Sequence, residues 1–125
     1  MSKLPDLWQD GLAAGWKVTD ASQPGPDLKL ECDVVIVGSG AGGGMVAEQL
    51  ASAGLHVVLL EEGGLYSSRH FNLRESEAYP QLYQESANRL SADKGITILQ
   101  GRTVGGSTTV NWTSSFRTPA DTLAW

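Results

Sequence analysis

A chain of 125 residues with 41% hydrophobic and 18% charged residues holds one domain at most and reads as globular rather than disordered. Its net charge of −5 excludes the basic face that nucleic acid calls for, and its single cysteine, Cys32, excludes a disulfide framework and metal-ligand spacing. No stretch approaches the roughly 18 consecutive apolar residues of a membrane span, and Met1-Ser2-Lys3 is not followed by an apolar signal core, so a soluble protein of the reducing cytoplasm is expected.

Residues 1–27 are expected to be an N-terminal arm and linker. Leu4 to Trp16 has helical character broken by Pro5, Gly11 and Gly15, and Ser22 to Asp27 is a turn-rich linker. Trp8 and Trp16 either anchor this arm on a larger body or belong to a loosely packed leader. The domain proper is expected over 28–125. Val34 to Val37 form an unbroken apolar run, which predicts a strand buried on both faces of a parallel sheet. Gly38-Ser39-Gly40-Ala41-Gly42-Gly43 then fits G-x-G-x-x-G. Its first glycine permits the tight turn, its second lets a pyrophosphate approach the backbone, and its third lets a helix pack closely on the sheet. Phosphates would meet the free N–H groups and positive dipole end of that helix.

Val46, Ala47, Leu50 and Ala51 fall on one helical face, with Glu48, Gln49 and Ser52 away from it, and Gly54 is placed to stop the helix. Leu55 to Leu60 is a second apolar strand ending in Glu61, about where the dinucleotide fingerprint wants an acid for ribose hydroxyls. The alternative is a plain βαβ unit with an accidental glycine loop. His56, inside that strand, reads as structural, His70 as a solvated loop residue, and Cys32 as a small residue at a strand entrance.

Beyond the Gly63-Gly64 turn, Arg74 to Ala78 and Gln81 to Leu90 predict two short helical pieces, with Pro80 in the first turn of the second and an apolar edge of Tyr79, Leu82 and Tyr83. Ile96 to Leu99 is a strand candidate. It feeds a second glycine loop, Gln100 to Trp112, in which Gly101, Gly105 and Gly106 let backbone pass close to a flat or anionic group. Ser107 and two threonines offer hydroxyls, and Arg102 either pairs a phosphate or is simply exposed.

The two glycine loops together resemble the N-terminal part of the glucose–methanol–choline flavin oxidoreductases. Gly38 to Gly43, Glu61 and Gly101-Arg102-Thr103-Val104-Gly105-Gly106-Ser107 carry the likeness, and GRTVGGSTTVNW is similar to that family's first signature. GLAAGWKVTDAS and the Phe116 to Pro119 ending are similar to bacterial and long-chain alcohol oxidase members.

The resemblance implies an α/β, Rossmann-like FAD-binding βαβ unit with a glycine-rich second loop and a sheet incomplete in this chain. It implies FAD rather than NAD. Gly38, Ser39, Gly40, Ala41, Gly42 and Gly43 would lie on the pyrophosphate, and Glu61 or its neighbour Glu62 on the adenosine ribose. Arg102 and Val104 lead into Gly105, Gly106, Ser107 and Asn111 beside the flavin ring. Val110 stands where some members carry a flavin-tethering histidine, which implies dissociable FAD. The family's substrate domain and catalytic histidine lie towards the C-terminus of several-hundred-residue proteins. Residues 28–125 are therefore expected to be the N-terminal portion of the FAD-binding domain, inactive alone, with no catalytic residue to name. The family reaction is proton abstraction from an alcohol with hydride transfer to flavin N5. An NAD-binding module and a truncated product with little stable structure are the alternatives.

Overall fold

In the computed structural model, described for residues 5–23, 25–113 and 115–125, one β-α-β unit organises the chain. Helix α1 (Leu7–Ala13) precedes strand β1 (Val34–Val37), helix α2 (Ala41–Ser52) and strand β2 (Val57–Leu60). Helices α3 (Glu75–Leu82) and α4 (Ala120–Leu123) follow, with short 3-10 turns at Gln84–Ala87 and Gly106–Thr108. The strands pair in parallel, Val34 opposite Val57 and Val37 opposite Leu60, and α2 is the crossover that a parallel pair requires.

Helix α2 covers one face of this two-stranded sheet. Val34 and Ile36 are half-buried beneath it, whereas Val35 and Val37 on the other face are 55% and 83% exposed. The expected burial on both faces is thus corrected, because among the described residues no second layer packs against that side. The packing stripe of α2 is corrected too. Gly43, Ala47 and Leu50 are half-buried, while Val46 and Ala51 point outward. Gly54 does end the helix. At φ +90° its N–H returns to the Ala51 carbonyl and that of Leu55 to Leu50, a Schellman closure. This exit consumes Leu55, and the His56 N–H goes to the Asp33 carboxylate at 2.7 Å, so β2 begins at Val57 rather than at Leu55.

The arm uses the same device. Gly15 at φ +93° and Trp16 close α1 onto Leu12 and Gly11. Gly11 does not break the helix as expected: it is buried, and a Cβ there would lie 2.6 Å from a Trp16 ring atom. Trp16 meets Trp8 edge-on at 5.7 Å between ring centroids, so the tryptophans pack on each other. Attachment to the body runs through Asp6, which caps α1 by accepting from the Gln9 N–H at 3.2 Å and lies 3.7 Å from Arg69. Hydrogen bonding from the Ser67 side chain, then from the Gln9 and Arg69 amides and the Arg69 charge, holds the Asp6 carboxyl below its usual range against the opposing effect of burial.

Two helical pieces divided at Pro80 are also corrected. Helix α3 runs through Pro80 and ends at Leu82, and Leu90 lies outside any helix. In a two-turn helix the proline forfeits only one backbone bond, near the C-terminal end. Glu85, Ser86 and Ala87 then all take positive φ, which reverses the chain. Ile96 to Leu99 forms no regular strand. Leu90 and Thr97 make one antiparallel bridge, while Asp93 accepts from the Ser91 hydroxyl and the Gly95 N–H to close the turn between them. Among the described residues Leu82 is the one buried apolar side chain, and Thr103 is fully buried.

Candidate functional site

The site lies where β1 and β2 end and α2 begins. Gly38 leaves β1 at φ +91°, donating its N–H to the Leu60 carbonyl at 2.7 Å, which fixes the turn to the end of β2. Gly40 is the N-cap of α2 and offers no side chain to cap it, nor does any acid lie in the first turn. The first-turn N–H groups therefore stand without a side-chain partner at the positive end of a 12-residue helix. A Cβ on Gly40 would meet no protein atom within 4 Å, whereas one on Gly43 would overlap the Gly38 carbonyl oxygen. The second glycine thus faces open space and the third lets helix and turn touch.

A cavity of about 680 Å³ opens here, within the range of ligand pockets, and its lining includes Gly38, Gly40, Ala41, Glu61, Gly106 and Ser107. Ser39 lies behind that wall, 8% exposed. Its N–H and hydroxyl both donate to Glu61 Oε2, at 2.8 and 2.6 Å, while Glu61 Oε1 accepts the Gly63 N–H at 2.8 Å. Burial pulls the Glu61 carboxyl upward, but the bonds from Ser39 and Gly63 outweigh it and hold the carboxyl below its ordinary value. A carboxylate has about four acceptor positions, so three bonds leave one for a ligand hydroxyl.

The second glycine loop docks on the first. Gly105 at φ +93° donates its N–H to Ser39 Oγ at 2.9 Å, and a Cβ on Gly106 would sit 2.9 Å from Gly40 Cα. The loop is held from beneath by Thr103, whose hydroxyl donates to the Gly64 carbonyl at 2.9 Å, and by the Val104 N–H, which reaches the same carbonyl at 3.1 Å. The Thr109 hydroxyl closes onto the Val104 carbonyl, and the Gly101 N–H onto Ser107 Oγ.

Of the expected site residues, the cavity wall gathers Gly38, Gly40, Ala41, Glu61, Glu62, Gly106 and Ser107. Gly42 and Gly43 continue α2, and Ser39, Val104 and Gly105 form the layer behind. Arg102 pairs with Glu62 at 3.1 Å, both side chains exposed. Asn111 accepts the Thr113 N–H and lies with Val110 on a separate cavity of about 560 Å³ bounded by α3. The sequence reading gave no role to Thr103, the buried post beneath the loop. Its signal was a threonine between Gly101 and Gly105, a polar residue whose hydroxyl can satisfy a glycine carbonyl. His70 is exposed, yet its Nδ1 accepts the Ser67 N–H at 3.0 Å. Among the described residues no cluster of three or more metal-ligating side chains occurs, and no helix is long and apolar enough to cross a membrane.

A family model described as FAD binding domain matches residues 33–77, which span the first glycine turn, β2 and Glu61. One described as GMC oxidoreductase matches residues 57–125, more than half of the chain. The long-chain-alcohol oxidase FAO4A of Arabidopsis thaliana is 42% identical over 94 residues, 75% of this chain and 13% of that protein. FAO1 of the same plant is 38% identical over 105 residues, 84% of this chain and 14% of that protein. An uncharacterized GMC-type oxidoreductase of Sinorhizobium fredii, y4nJ, is 42% identical over 100 residues, 78% of this chain and 19% of that protein. The chain spans less than a fifth of the length of these relatives. FAD is the cofactor these matches support, and the uncapped helix start over an open cavity suits its pyrophosphate. The chain belongs to the GMC oxidoreductase family.

Proposed function

We propose that this region seats FAD, without a covalent link, for an enzyme that oxidises alcohols. In this reading the pyrophosphate lies on the first turn of α2, and the adenosine ribose donates a hydroxyl to the remaining acceptor position of Glu61. The arrangement is Rossmann-like. The observation that carries it is Gly40: a bare N-cap facing open space, with first-turn amides that no side chain satisfies. Anion binding there needs no lysine, which reconciles a phosphate site with a net charge of −5. Val110 supports dissociable FAD, since its side chain has no nucleophile to link to the flavin.

FAD, when bound, supplies the ring that accepts a hydride. The residues here bind and orient: α2 and Glu61 the adenosine diphosphate half, Gly105 to Ser107 the passage towards the ring. The long-chain-alcohol oxidases among the relatives suggest a long-chain alcohol as substrate. The alcohol pocket and proton acceptor are assigned to parts of the protein outside this region. Calorimetric titration of the chain with FAD and, separately, with NAD tests the cofactor reading. It predicts saturable FAD binding that NAD at equal concentration does not displace. Binding of NAD in preference to FAD would instead make the region a nicotinamide module.

A further inference from the structure

We infer that the Ser39 hydroxyl is the latch that holds the second glycine loop over the dinucleotide cavity, a positioning residue that does not itself contact the cofactor. This rests on the FAD reading above. A hydroxyl has one proton to give and two lone pairs to receive. In Ser39 the proton is committed to Glu61 Oε2 at 2.6 Å, and a lone pair receives the Gly105 N–H at 2.9 Å. The residue is 8% exposed and lies outside the cavity lining, so its hydroxyl faces protein.

That one oxygen therefore joins three pieces distant in sequence: the β1–α2 turn, the acid at the end of β2, and the second glycine loop at Gly105. Its bond to a carboxylate polarises it as an acceptor, which strengthens the hold on Gly105. Directly after Gly105, the backbone of Gly106 rests against Gly40, and Gly106, Ser107 and Thr108 form the cavity wall opposite the helix start. Releasing Gly105 removes the tie between this wall and the β1–α2 turn, leaving it held only from the Thr103 side, while the Ser39 and Gly63 amides still hold Glu61. The adenosine diphosphate half of the cofactor uses α2 and Glu61, whereas the whole cofactor also needs the loop.

The test compares ADP and FAD binding to the wild-type chain and to Ser39→Ala, together with hydrogen exchange at the Gly105 amide. Loss of the latch is expected to weaken FAD by roughly fivefold to tenfold, as for one ordinary hydrogen bond, and ADP by less than about threefold. The Gly105 amide should exchange faster in the variant while the Ser39 and Gly63 amides keep their protection. If the alanine variant does not fold, Ser39→Cys replaces the hydroxyl by a weak donor and acceptor of similar size, and the same split is expected. Equal losses of ADP and FAD, or unchanged Gly105 exchange, overturn the latch. Failure of the wild-type chain to bind FAD at all would count against the cofactor reading, and Gly105 exchange would still decide the latch.

Discussion

Replacing Gly43 by alanine should destabilise the chain, although alanine is the better helix former. The new Cβ would overlap the Gly38 carbonyl oxygen, lie 3.0 Å from the Gly38 carbonyl carbon and stand 3.4 Å from Ile36 Cγ2. The obstructing atoms are backbone, fixed by the Gly38 N–H bond to Leu60, so α2 must lift off β1. Overpacking of this kind costs about 1–3 kcal/mol or more, and the gain in helix propensity returns only about 1 kcal/mol. At Gly42, one residue earlier in α2, a Cβ meets nothing within 4 Å, so there only the propensity gain remains. Urea unfolding followed by circular dichroism should give a lower midpoint for Gly43→Ala and a midpoint at or above wild type for Gly42→Ala. If Gly43→Ala matched or exceeded Gly42→Ala in stability, α2 would not pack on the Gly38 turn, and the close-approach argument would be refuted.

Glu61→Ala should weaken FAD binding by about 1–3 kcal/mol, the range for hydrogen bonds to a charged group, read by titration calorimetry. The pH dependence follows from the same carboxylate, whose folded-state value lies below the ordinary 4.5. The unfolded chain then binds the proton more tightly, so the contribution of Glu61 to stability is full above about pH 4.5 and fades as the pH falls through the folded value. Unfolding free energies measured between pH 6 and 3 should show a flatter acid limb in Glu61→Gln than in wild type; identical limbs would remove Glu61 from the balance. Gly11→Ala should push the Trp16 indole off α1 and part it from Trp8, changing near-ultraviolet circular dichroism while leaving FAD binding intact.

The β-α-β unit was legible because each part has a local cause. Four β-branched residues make β1, glycines at fixed spacing make the turn, and Gly54 makes the helix end. What failed was reading single residues without their partners. Gly11 looked like a breaker, yet it makes room for an indole five residues on. Pro80 looked like a boundary, yet it sits where a short helix loses little by it. Ile96 to Leu99 has strand-like residues, but a strand needs a neighbour, and pairing there stops at the single Leu90–Thr97 bridge.

The same division runs through the site. G-x-G-x-x-G and the acid after β2 could be read from spacing alone. The second loop could be read only as glycine-rich, because what fixes it is the Ser39 hydroxyl from far earlier in the chain and the buried Thr103. Arg102 shows the converse: its type suggests a phosphate partner, and the fold sets it beside Glu62. Contacts between segments distant in sequence leave no periodicity to find.

The central claim is that Gly40 opens the start of α2 to the pyrophosphate of FAD. The most direct measurement is the visible spectrum of the purified chain, wild type and Gly40→Val, after incubation with FAD and removal of free ligand. The account predicts a retained flavin band in wild type and none in a folded Gly40→Val, whose side chain fills the space the phosphates need. Equal flavin retention by the two chains would contradict it.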